Sequence, residues 1–213
     1  MNEVFENNAA ITSIRNFYMN YRKAILGIAV LVILIISVFL INNQISKKNN
    51  IEAAEIYNKW IAQETDTDEG MQISDKLFED LMSSYKKTGY AKIALLNHAS
   101  LKANNGDLES AFRYFLLLKE STEGFSGNKL FNKIARINLA RILIVQEKLD
   151  DALGMLDIYT SEGDALIHEI IGDILSKQDK KELAIEQYNI AKQNYTNEGS
   201  ISVVSMKITN LSF

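Results

Sequence analysis

The sequence predicts an all-α chain: a single N-terminal transmembrane helix, then a degenerate solenoid of repeated helical hairpins. Three observations predict it. Residues 24–41 form an 18-residue run without a charge. The 213 residues include no proline, the strongest helix breaker. After residue 50, apolar side chains recur at the 3.6-residue helical period, and no stretch sustains strand alternation.

The run AILGIAVLVILIISVFLI places Ile, Leu, Val or Phe at 14 of its 18 positions. At about 1.5 Å rise per residue it spans ~27 Å, close to a hydrocarbon core of ~30 Å. Each such residue favours insertion by roughly 0.3–0.6 kcal/mol near the centre. A buried core helix is rarely apolar on every face. A cleaved signal needs small residues after the run, where this chain has Asn42, Asn43, Gln44 and Ile45. An uncleaved anchor follows. Gly27, Ala29 and Ser37 share no four-residue spacing, so no helix-dimer seam is indicated. Arg15, Arg22 and Lys23 on one side balance Lys47, Lys48 and Lys59 on the other, and the charge count leaves orientation open.

The organisation read from composition is a tail at 1–23, the transmembrane helix at 24–41, a polar linker at 42–50 and one helical domain at 51–213. The whole chain has 23 Lys+Arg and 27 Asp+Glu; beyond the span 20 basic residues face 25 acidic ones. A mildly acidic domain without a basic stripe argues against nucleic acid as a partner. Zero cysteine excludes disulfides, thiolate metal sites and cysteine nucleophiles.

Amphipathic segments are predicted near 51–63, 72–88, 91–104, 108–119, 129–146, 150–159, 165–177, 181–194 and 201–210. Polar turns separate them: Glu64–Gly70, Ser121–Asn128, Thr160–Asp164 and Tyr195–Ser200. Asp107, Asn128, Asp164 and Ser200 stand where N-caps do, just ahead of an apolar-periodic stretch.

The segments repeat in pairs. Ala99, Ala140 and Gly172 are each followed twelve residues later by Ala111, Ala152 and Ala184, and four further on by Phe115, Leu156 and Tyr188. Small side chains let paired helices approach, and the large one fills the gap to the next pair. The offsets resemble a tetratricopeptide repeat. Any helical bundle puts Ala at crossings, but three matches to one three-position template favour the solenoid. Leu101, Ile142 and Ile174 recur two positions after each first small residue. The repeat distances are 41 and 32, so Ser121–Asn128 reads as an insertion. The 51–88 hairpin would be an earlier, weaker repeat, and 201–210 the cap that covers the last one.

Catalytic, cofactor and metal constellations are not found. His98 and His168 lie 70 positions apart and form no ligand pair. Asp66, Asp68 and Glu69 lack calcium-loop spacing. No catalytic residue, cofactor or metal is therefore expected, and the chain reads as a non-enzyme. In the repeat template the first helix of each pair lines a concave, partner-binding face. That face would include Leu96, Ser100 and Asn104 in one pair, Ile137, Arg141 and Ile144 in the next, and Glu169, Asp173 and Lys177 in the third.

Nearly end to end, the chain resembles the YfgM-type ancillary subunit family of the bacterial SecYEG translocon. The residues that carry this are the tail MNEVFENN, Ile14-Arg15-Asn16-Phe17, Arg22-Lys23 before the span, INLARILIVQEKLDDAL (137–153), GDILSKQDKKELAIEQY (172–188) and the closing Met206-Lys207-Ile208-Thr209-Asn210-Leu211-Ser212. Asn20-Tyr21 departs from the family, which commonly carries a Gly before its Lys. The resemblance implies a cytoplasmic tail, one pass through the bacterial inner membrane and a periplasmic repeat domain. It also implies partners: the SecYEG channel, the periplasmic chaperone PpiD and nascent translocated polypeptides. A cytoplasm-facing scaffold for regulation or assembly of another complex shares every feature except sidedness.

Overall fold

The computed structural model describes residues 2–64, 67–124 and 127–212. Among them every regular element is helical. The order is α1 (Asn2–Ala62), α2 (Asp68–Ser84), α3 (Gly89–Asn104), α4 (Leu108–Ser121) and α5 (Lys129–Val145). It continues with α6 (Leu149–Leu156), a 3-10 turn (Asp157–Glu162), α7 (Ala165–Lys177), α8 (Lys181–Asn194) and α9 (Glu198–Leu211). The chain divides into two units, Met1–Glu52 and Ala53–Phe213.

In the first unit, the large apolar residues from Leu26 to Ile41 stand open around the helix, between 46 % exposure at Val32 and 68 % at Phe39. The helix is long and apolar enough to cross a bilayer, with a mean hydropathy of 3.3 over 18 residues. Ser37 is the run's one polar side chain, and its hydroxyl donates to the Ile33 carbonyl at 2.8 Å. In a bilayer, that bond would remove the cost of an unsatisfied hydroxyl.

The spacer at 42–50 is a correction at the level of secondary structure: it is helical and continuous with α1. Eight of these nine residues are polar, but none is Gly or Pro, so nothing stops the helix. Asn50 Nδ2 donates back to the Ser46 carbonyl at 2.8 Å. The separate helix expected at 51–63 is consequently the last part of α1.

In the second unit all nine template positions are buried. Ala99, Ala111, Ala140, Ala152, Ala184 and Leu156 have no exposure, and Phe115 and Tyr188 have 1 % and 3 %. Gly172 shows why the position must be small: a Cβ there would lie 2.5 Å from the Tyr188 ring. Each helix packs on its neighbours in the chain, and the first helices α5 and α7 also touch. Three core clusters result. The Ala53, Phe78 and Leu81 group joins the end of α1 to α2 and α3. The Phe115, Leu139 and Ile142 group joins α3, α4 and α5. The largest runs from Ile137 to Val204.

The turns inside the pairs carry the same register. Gly106, Glu147 and Asp179 each have φ near +60 to +80°, and they too stand 41 and 32 residues apart. In each turn the next residue's N–H bonds five residues back: Asp107 to Lys102, Lys148 to Leu143 and Lys180 to Leu175. This is the left-handed C-terminal stop that satisfies a helix's last carbonyls. Two of its three sites are not glycine, so composition does not reveal them.

Three expectations change. Leu101 is 54 % exposed, whereas Ile142 and Ile174 are core. The hairpin ahead of α3 packs on Tyr90, Ala94, Leu95 and Leu96 and reaches as far as His98, which stacks on Phe78. Leu101, three residues further along α3, takes no part in that packing. Asp68 and Glu69 belong to the first turn of α2, capped by Thr67, and not to a loop; there they complement the helix dipole. Ser200 is not an N-cap. Asn197 is, and its side chain accepts from the Ser200 N–H at 2.7 Å. Asp107, Asn128 and Asp164 do cap their helices.

Candidate protein-interaction face

The first helices α3, α5 and α7 carry the face expected to meet partners. In α3, Leu96 is half-buried between two core clusters, Ser100 is half-buried and Asn104 is exposed near the helix end. In α5, Ile137 is only 7 % exposed and belongs to the core, packing α5 towards α7, so it presents no contact of its own. Ile144 is half-buried against the same core, and Arg141 is exposed. In α7, Lys177 is exposed while Glu169 and Asp173 are half-buried.

Glu169 and Asp173 are already engaged. Lys207 of α9 donates to Glu169 Oε1 at 2.7 Å and to Asp173 Oδ1 and Oδ2 at 2.6 and 2.8 Å. The Tyr195 hydroxyl donates to Glu169 Oε2 at 2.5 Å, and the Tyr188 hydroxyl to Asp173 Oδ1 at 2.7 Å. The Lys207 ammonium also lies 5.6 Å from the centre of the Tyr188 ring, within range of a cation–π attraction.

Charges respond accordingly. Burial pushes the Glu169 carboxyl up, but the bonds from Lys207 and Tyr195 outweigh it and hold the group below its ordinary range; Arg141 adds to this from α5. Burial opposes the charge on Lys207, yet its two carboxylate partners leave it raised. Tyr188 and Tyr195 are pushed up by burial first and then by the carboxylates they donate to.

Arg141, Glu169 and Asp173 therefore belong to one electrostatic group, with Lys207 and the two tyrosines as members that sequence reasoning missed. Leu96, Ser100 and Asn104 are not joined to it by any described hydrogen bond or ion pair. Arg141 makes no hydrogen bond or ion pair among the described residues, and its side chain is exposed. Lys207 had a sequence signal: it sits inside the terminal 206–212 motif. The tyrosines had a weaker one, since Tyr188 fills the large template position.

The two histidines are accounted for by packing. His98 stacks on Phe78 at 4.3 Å and meets the edge of Tyr114 at 4.7 Å. His168 is 5 % exposed, and its Nδ1 lies 2.7 Å from Gln187 Oε1, so Nδ1 donates. Among the described residues no group of three or more His, Cys, Asp or Glu could hold a metal ion.

A family model described as a tetratricopeptide repeat-like domain matches residues 15–213. Comparison with curated proteins returns no match.

Proposed function

We propose that this chain, which belongs to the tetratricopeptide repeat-like domain family, is a non-enzymatic ancillary subunit of the SecYEG translocon. In this reading residues 24–41 cross the bacterial inner membrane once, the tail is cytoplasmic and the repeat domain is periplasmic. The domain works with PpiD on polypeptides leaving the channel. The observation that carries the reading is the union, in one chain, of an apolar helix open around its circumference with stacked hairpins whose first-helix face offers Arg141, exposed and without an ion pair among the described residues. The resemblance of the 137–153, 172–188 and 206–212 segments to the translocon family supplies the partners.

The mechanism is mass action. A tether holds a weak binding surface beside the channel exit and raises its effective concentration for an emerging chain or for PpiD. No bond is made or broken. A reporter active only in the periplasm, fused after Phe213, is expected to be active. An inactive reporter together with an active cytoplasmic one would place the domain on the other side and remove the translocation role.

A further inference from the structure

The second unit has an apolar hole of about 150 Å³ where α2, α3 and α4 meet. Its walls are Met82 of α2, Leu95 of α3 and Tyr114 and Leu117 of α4, and Lys86 and Lys92 stand at the rim. A cavity of roughly this size accepts one benzene-sized group, too small for a cofactor and right for a single Leu or Phe side chain. Leu117 is 47 % exposed, while its neighbour Leu118 is fully buried. One wall of the hole is therefore wet, and an apolar side chain entering it would remove that surface from water.

The hole opens into a shallow groove of about 580 Å³ that shares Lys86, Lys92, Leu117 and Ser121 with it and adds Lys87 and Glu120. Charge along this groove is unbalanced. Lys86, Lys87 and Lys92 have no ion pair among the described residues. Glu123 at the groove's far end is already held by Lys119 at 2.9 Å and Arg136 at 2.7 Å. Glu120 is the remaining carboxylate in the groove lining, beside three lysines.

We propose that this site binds an extended acidic peptide segment, seating one Leu or Phe in the hole and laying flanking Asp or Glu side chains along Lys86, Lys87 and Lys92. Charge complementarity selects the partner's sign, and the hole selects an apolar anchor. A flat anionic membrane surface fits less well. It has no single apolar side chain to insert into the hole. The site deepens the scaffold reading and rests on it, giving the domain a second contact distinct from Arg141.

The test uses the full chain in neutral detergent and a fluorescein-labelled peptide, Gly-Ser-Asp-Glu-Leu-Glu-Asp-Ser-Gly, followed by anisotropy. Binding is expected, weakening as salt rises. Replacing the peptide's Leu with Ser, or introducing Lys86→Glu with Lys92→Glu, should each weaken it by about tenfold or more. Circular dichroism verifies that the double variant is folded, and Lys86→Gln with Lys92→Gln should give an intermediate loss. Equal binding by the double variant, or by the Ser peptide, overturns the proposal. So does binding of soluble short-chain phosphatidylglycerol at these lysines without binding of the peptide. Copurification with SecYEG and PpiD is measured in parallel. If it persists while the peptide fails to bind, only this site is lost. If it is absent while the peptide binds, the translocon reading fails and the site stands.

Discussion

Gly172 and Gly154 are opposite cases of one residue type in a helix. Removing a mid-helix glycine gains about 1 kcal/mol from backbone entropy wherever the new methyl has room. At Gly154 nothing lies within 4 Å of a would-be Cβ, so Gly154→Ala should raise stability by about 0.5–1 kcal/mol in urea denaturation. At Gly172 the same methyl would meet the Tyr188 ring, itself fixed by its bond to Asp173. Overpacking costs about 1–3 kcal/mol and outweighs the propensity gain, so Gly172→Ala should destabilise. Burial first, then Lys102, holds His98 below its ordinary pKa, and Asp75 only partly offsets them. The unfolded chain therefore binds the proton more readily than the folded one. Stability is full above the unfolded value of about 6.5 and is lost as pH falls through it towards the folded value. The urea midpoint should drop between about pH 7 and pH 5, and His98→Gln should flatten that slope. Both effects belong to side chains whose identity is plain in the sequence, but whose neighbours are not.

At the scale of the element, α9 is the most informative. Its Val204 is fully buried, and Ile208 and Leu211 pack against the last core cluster. Hydrophobic contact alone would hold it, yet Lys207 adds bonds to two carboxylates of α7. Lys207→Met keeps much of the stem's packing and leaves Glu169 and Asp173 without their cation. Breaking a buried pair costs about 3–5 kcal/mol; with the Lys207 side chain 29 % exposed, about 1–3 kcal/mol is expected, read as a lowered urea midpoint. The loss should shrink in acid, where Glu169, held low in the folded state, becomes protonated and no longer needs a partner. The cap itself was legible, because the last apolar-periodic stretch follows the last template match. Its lock was not. Lys207 finds Glu169 and Asp173 only after 34 or more residues of chain have folded back, and no local pattern encodes such a pairing. Boundaries erred where chemistry was ambiguous: a polar spacer without a breaker stayed helical, and Asn197, not Ser200, started α9. The left-handed turns at Glu147 and Asp179 were invisible for a related reason, since the repeat geometry imposes a conformation these residues do not favour.

For the whole molecule, repetition was the strongest signal because each pair must bury the same small and large positions against the next. That constraint is written at offsets of twelve and four and survives unequal spacing. The face proposed to meet partners was less legible. Template position identified Arg141, Glu169 and Asp173, but it could not say that two of the three are taken up by the cap, or that Ile137 is core. Arg141 and Lys177 are the charged members of that face that stay exposed without an ion pair among the described residues. A photo-crosslinking amino acid placed at Arg141 in the full chain, activated in intact membranes, tests the central claim most directly. The account predicts adducts with PpiD or a SecYEG subunit; adducts confined to cytoplasmic proteins would contradict it.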